Sequence, residues 1–166
     1  AQQKAALDFH LIYADWHEQD LRAFVRRDRN HPSVILWSIG NEIGEQGSST
    51  AGTMATELVT IVREEDGTRP TVSGMNSATP TSSFAGATET VGLNYQGSGV
   101  RDGPAQYPVF HQQFPSKFIV GTETTHTYSS RGVYTFLVEP SSGVPVSSTA
   151  GQDNTARQVS SYDLYH

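Results

Sequence analysis

A short apolar run, Val34-Ile35-Leu36-Trp37, is broken at Gly40 and followed at once by Asn41-Glu42. Nothing else in the chain constrains its fold as tightly. Turn-forming residues, Arg29-Asn30-His31-Pro32-Ser33, precede the run and fix where an element can begin. An apolar run of this length between turn signals reads as a strand buried on both faces. Strands of that kind belong to parallel sheets, and α/β enzymes expose their chemistry at the carboxyl ends of such strands. Glu42 is therefore a candidate catalytic acid, with a side-chain amide, Asn41, beside it.

Around this strand the pattern alternates. Helical spacing predicts a first helix over 15–28, with Asp15 and Glu18 placed as a capping pair and Trp16, Leu21, Phe24 and Val25 on one face. A second helix, capped by Thr50 or a neighbouring serine, buries Met54, Leu58, Ile61 and Val62 and stops before Gly67. Further strands are expected at 71–73, 91–95 and 118–122, and a short helix near 106–113. A Ser/Thr/Ala/Gly-rich loop fills the space from Ser73 to about Thr88. Alternating strands and helices indicate βα units around a parallel sheet.

A complete eightfold βα barrel takes about 250 residues and rarely fewer than 200. At 166 residues the chain reads as a doubly wound small domain or a piece of a barrel, and its abrupt start and polar ending favour the piece. The expected organisation is a catalytic portion over 1–134 and a loop-rich continuation of the same domain over 135–166.

Composition removes several function classes. A net charge of −6 with scattered basic residues argues against nucleic acid or an anionic membrane as partner. The local group Arg22, Arg26, Arg27 and Arg29 sits where cations favour a helix C-terminus. The chain has no cysteine, which excludes disulfides and thiolate metal sites and leaves the compartment open. The opening AQQKAALDFH lacks the regions of a signal peptide, and no apolar stretch is long enough to span a bilayer. The histidines show no metal-site spacing, and His17-Glu18 has no second histidine to make a zincin. No metal or cofactor is implied, and no phosphate loop, GxSxG elbow or nucleotide fingerprint occurs.

Glu42 has a counterpart in Glu123, which comes directly after the apolar stretch at 118–122. Two carboxyl groups at the ends of different strands suit glycosidic bond cleavage. One is protonated and supplies a proton to the leaving oxygen, while the other is ionised and attacks the anomeric carbon. The alternative is that both acids merely cap the segments after them.

The segment RDRNHPSVILWSIGNE, residues 27–42, resembles the acid/base segment of glycoside hydrolase family 2, which includes β-galactosidases, β-glucuronidases and β-mannosidases. DGTRPTVSG at 66–74, VGLNYQ at 91–96 and IVGTETTHTYSSRGVY at 119–134 come in that family's order. The resemblance covers roughly residues 8–134, and SSYDLY near the end fits the bacterial β-galactosidase-like branch.

The resemblance implies a partial (β/α)8 TIM barrel, strands four to seven with their helices. It implies that Glu42 is the general acid/base and Glu123 the nucleophile. Asn41 would hydrogen-bond the sugar 2-hydroxyl and Tyr95 would orient the nucleophile; His126, by its position three residues past Glu123, is a candidate for lining a sugar subsite. The implied activity is that of a retaining exo-β-glycosidase, β-galactosidase-like, with a carbohydrate as its partner. β-Glucuronidase, β-mannosidase and a non-catalytic carbohydrate-binding fragment are the alternatives. Thr124-Thr125 depart from the aromatic and small residues that many relatives carry after the nucleophile. His31 reads as a turn residue, Trp37 as core, and Glu45, Glu57, Glu64 and Glu65 as solvated positions.

Overall fold

The computed structural model describes residues 2–95, 106–123, 137–138 and 145–147. Four strands, β1 (Trp37–Asn41), β2 (Thr71–Met75), β3 (Thr90–Asn94) and β4 (Phe118–Glu123), form one parallel sheet in sequential order. Helices α1 (Tyr13–Asp28), α2 (Ala51–Glu65), α3 (Ser83–Ala87) and α4 (Tyr107–Gln113) precede or connect them. A doubly wound sheet reverses its strand order at a switch point, whereas a barrel adds each strand beside the last. The unbroken order β1-β2-β3-β4 is that of consecutive barrel units, as the sequence led us to expect. A two-stranded antiparallel ribbon, β5 (Leu137–Val138) with β6 (Pro145–Ser147), falls within the tail that sequence assigned to loop.

The two faces of the sheet are chemically distinct. Met75, Val91 and Leu93 point outward into a core completed by Ala51, Ala55, Phe84, Ala85 and Phe110 from the helices. Val25, Trp37 and Val62 form a second outward cluster under α1 and α2. The inward side carries Thr90 and Gly92 on β3, paired in register with Val72 and Gly74 on β2, and then Asn94. Central strands β2 and β3 are buried along their whole length, while β1 and β4 are not. Ile35 is 73% exposed and Phe118 is 74% exposed. The expectation of a first strand buried on both faces is therefore corrected. Val34, Ile35 and Leu36 lie ahead of β1, and β1 and β4 are the edges of the sheet among the described residues.

Three local expectations also change. No side chain caps α1, which begins at Tyr13, and Asp15 falls inside its first turn. The hydroxyl at the start of α2 is remote: Ser83 Oγ accepts from the Gly52 N–H at 3.2 Å. The long loop before Thr88 contains α3, because Ser82 Oγ accepts from the Phe84 N–H and caps a turn that buries Phe84 and Ala85.

Glu65 is no solvated residue. Its side chain is only 8% exposed, and it takes Arg22 at 3.0 Å and Arg26 at 2.6 Å. The basic group of α1 thus reaches across to the end of α2, with Arg22 also meeting Glu18 and Glu64. The Arg26 hydrogen bonds lead in holding the Glu65 carboxyl down to about 2.

Candidate active site

The DGTRP segment secures the base of β1. Asp66 Oδ2 accepts from Trp37 Nε1 at 2.9 Å and from Arg69 Nη1 at 2.6 Å, and Asp66 Oδ1 accepts from the Thr68 N–H at 2.9 Å. Burial works to raise the Asp66 pKa, but the Thr68 hydroxyl, followed by these other donors, outweighs it and keeps the carboxylate well below its usual range. Arg69 Nε also donates to the Val34 carbonyl at 2.7 Å, and the Trp37 N–H donates to the Pro70 carbonyl at 3.0 Å. The chain leading into β1 is thus fixed by partners on the next unit. The His31 carbonyl accepts from the Val34 N–H at 3.1 Å, in keeping with a turn role for that residue.

Simple alternation would put the candidate acids on the wrong side. Trp37 and Ile39 both pack against the outward clusters, so Asn41 would also face outward by parity. On β4, Ile119 packs outward and Gly121 comes two places on, so Glu123 would face outward too. In both strands the register slips by one residue before that point. Ser38 pairs with Val72, but Asn41, three residues on, pairs with Gly74. Leu93 pairs with Gly121, but the next residue, Asn94, pairs with Glu123. Each slip is a bulge, which reverses the alternation and re-aims the residues beyond it. Asn41 and Glu123 consequently fall on the inward side, opposite Gly74 and Asn94.

The inward side chains meet around Asn94, which is wholly buried. Its Nδ2 donates to Asn41 Oδ1 at 3.2 Å and to Glu42 Oε1 at 3.2 Å. The Thr122 hydroxyl donates to its Oδ1. Asn41 and Asn94 belong to strands separated by β2, about 9–10 Å apart in a flat sheet. They touch across β2 because Gly74, lying between them, has no side chain to separate them. A Cβ there would stand 2.5 Å from Asn41 Oδ1.

Backbone geometry at the strand ends is equally specific. Glu42 has φ 48° and Tyr95 has φ 52°, a region that side chains other than glycine's adopt at a cost. Ladder contacts hold both: the Glu42 N–H donates to the Gly74 carbonyl at 2.8 Å, and the Tyr95 N–H to the Glu123 carbonyl at 2.7 Å. Glu42, Tyr95 and Glu123 are half-buried, and Asn41 is exposed.

Of the five residues singled out from sequence, the structure places Asn41, Glu42, Tyr95 and Glu123 at one end of the sheet. His126 lies outside the described residues. Asn94 and Thr122 were missed. The available signal was the polar residue in Val91-Gly92-Leu93-Asn94, which falls on the same face as Thr90 and Gly92 and so inside the barrel. Among the described residues no three His, Cys, Asp or Glu side chains are grouped to hold a metal ion. No helix among them is long and apolar enough to cross a membrane. An open groove of about 700 Å³ lies elsewhere, on the outer helices between Glu18, Arg22, Thr56, Glu57 and Glu64. It touches none of the strand-end residues.

Comparison with known proteins identifies the family. The model of the family "glycosyl hydrolases family 2, TIM barrel domain" matches residues 11–133. A β-galactosidase of Bacteroides ovatus is 32% identical, over 80% of this chain and 19% of its own length. Human β-glucuronidase is 33% identical over 42% of this chain and 10% of its own. A solved family 2 glycosyl hydrolase from Bacteroides cellulosilyticus superposes with a TM-score of 0.66 at 31% identity, covering 76% of this chain and 16% of that one. The chain thus spans a fifth or less of each of these relatives.

Proposed function

This chain belongs to glycoside hydrolase family 2, and from that premise we propose that the polypeptide carrying it is a retaining exo-β-glycosidase, β-galactosidase-like in its substrate. One observation carries the reading at the level of residues. Glu42 and Glu123 end different strands of one sheet, and each strand bulges just before its acid so that the polar strand ends converge on Asn94.

In this mechanism Glu123 attacks the anomeric carbon as a carboxylate. The C1–O bond breaks, its electron pair goes to the leaving oxygen, and Glu42 supplies that oxygen with a proton. A covalent glycosyl-enzyme results. Water then attacks the same carbon, loses its proton to the Glu42 carboxylate and frees Glu123, with net retention. Asn41 is assigned to the sugar 2-hydroxyl, a contact that strengthens toward the transition state. Tyr95, tied through its backbone to Glu123, is assigned to orient the nucleophile, and His126 to a sugar subsite. The domain reading places these roles within 1–134, with 135–166 as its continuation. No nucleic acid or membrane enters this scheme.

A 2-deoxy-2-fluoro glycoside with a good leaving group tests it. Labelling at Glu123, mapped by peptide mass, is the expected result. Reversible sugar binding without a label would instead identify a non-catalytic carbohydrate-binding fragment. Similarity to β-glucuronidases keeps the acidic sugar as a second reading. Aryl galactosides, glucuronides and mannosides compared side by side decide among the sugars.

A further inference from the structure

The side chain of Asn94 is fully buried, and burying an amide is costly unless its polar atoms are paired. Thr122, Asn41 and Glu42, its hydrogen-bond partners, all belong to the strand-end cluster. With the Thr122 hydroxyl donating to its Oδ1, the Asn94 amide presents its NH2 group to the two oxygens opposite, Asn41 Oδ1 and Glu42 Oε1. A carboxyl oxygen that accepts an N–H hydrogen bond cannot also turn a proton toward that donor. Glu42 Oε1 is therefore kept as an acceptor. Asn41 is fixed in the same way. Its Oδ1 accepts from Asn94, so its own NH2 edge turns away from Asn94.

We propose that Asn94 is a positioning residue for the acid: it assigns the transferable proton to Glu42 Oε2 and presents Asn41 as a hydrogen-bond donor, with Thr122 locking the amide. The proposal rests on Glu42 acting as the acid. In the transfer the Oε2–H bond breaks as the glycosidic oxygen takes the proton, and Glu42 leaves the step as a carboxylate still held at Oε1.

The test uses the intact enzyme that carries this segment, with Asn94→Leu, which is similar in size and has no polar atom, and with Thr122→Val, which removes only the locking hydroxyl. kcat/KM is measured on aryl β-glycosides that differ in leaving group. Proton donation matters most for poor leaving groups, so the loss on a phenyl glycoside should exceed that on a dinitrophenyl glycoside by about tenfold or more in Asn94→Leu, and by less in Thr122→Val. Equal losses across the series, or none, would overturn the proposal, since a merely structural residue affects every substrate alike. If Asn94→Leu does not fold, Thr122→Val alone decides by the same ratio. A wild-type enzyme that turns over none of the glycosides and takes no label defeats the functional reading instead. An active wild type with uniform losses defeats only the role given to Asn94.

Discussion

Gly74→Ala should damage catalysis without replacing any residue assigned to the substrate. Gly74 lies on the inward face of β2, and a Cβ there stands 2.5 Å from Asn41 Oδ1, 2.9 Å from Asn94 Oδ1 and 3.0 Å from Asn94 Nδ2. Ordinary contact begins near 3.4 Å, so the Asn41 oxygen must retreat by about 0.9 Å and the Asn94 amide by about half as much. Neither can move freely, because the Asn94 Nδ2 bonds to Asn41 and Glu42 are already 3.2 Å long. Further lengthening takes both beyond useful range. Losing the bonds to Asn41 and to the Glu42 carboxyl costs roughly 1–3 kcal/mol while Glu42 is protonated. Misplacing the acid by the better part of an ångström costs on the order of 100-fold in turnover. Gly92→Ala is the control. There the added methyl meets chiefly the Ser73 backbone carbonyl, which has no side-chain torsion to relieve it, and only secondarily Thr122 Cγ2 at 3.1 Å. That variant should lose stability first. The assays are kcat/KM on an aryl glycoside and thermal denaturation of both variants. A Gly74→Ala enzyme within about twofold of wild type would refute the reasoning, because a clash that leaves the acid in place cannot have been transmitted through Asn94.

Other expectations concern the acids and the helix junction. Glu123→Ala should abolish labelling by the fluoro-sugar, whereas Glu42→Ala should retain turnover of dinitrophenyl glycosides while losing about 10²–10⁴-fold on poor leaving groups; normal turnover by Glu123→Ala would refute the assignment. Asp66→Ala should destabilise the fold by on the order of 3 kcal/mol, read as a lower urea midpoint, because it strands Trp37 Nε1 and the Arg69 guanidinium. The chain should also be acid-sensitive. Glu65 has a folded pKa depressed from 4.5 to about 2, so its stabilisation is full above the higher value and is lost as pH falls toward the lower. Urea midpoints measured from pH 6 to pH 2 should fall across that window, and Glu65→Gln should flatten the fall.

The sequence made the order of elements readable, since strand and helix periods differ and turn residues separate them. It made the two glutamates readable because a long specific motif surrounds one and an apolar stretch leads to the other. What it concealed has physical causes. Ile35 looks buried because apolar runs usually are, yet it is exposed on the segment ahead of β1, outside the sheet. Glu65 looks solvated because a helix-end acid usually is, and only the packing of α1 on α2 brings Arg22 and Arg26 to it. Asn94 is hidden for a subtler reason. Its importance lies in three partners distant along the chain, which no local pattern records. Parity was the deepest obstacle, since counting along β1 or β4 from its apolar residues gives the wrong face for Asn41 and Glu123.

The paired bulges have a consequence for how a site of this kind can be inherited. Facing direction along a strand depends on whether a count is odd or even, and no exchange of one amino acid for another alters a count. Point substitutions can weaken the acids or their neighbours by degrees. Turning either strand end to the opposite face takes the gain or loss of a whole codon at 39–40 or at Thr122. Loss of one such codon in either strand would leave both glutamates present in the gene and aim one strand end into the helical layer. In comparing genes of this kind, a gap of one position there is a better warning of lost activity than many substitutions elsewhere.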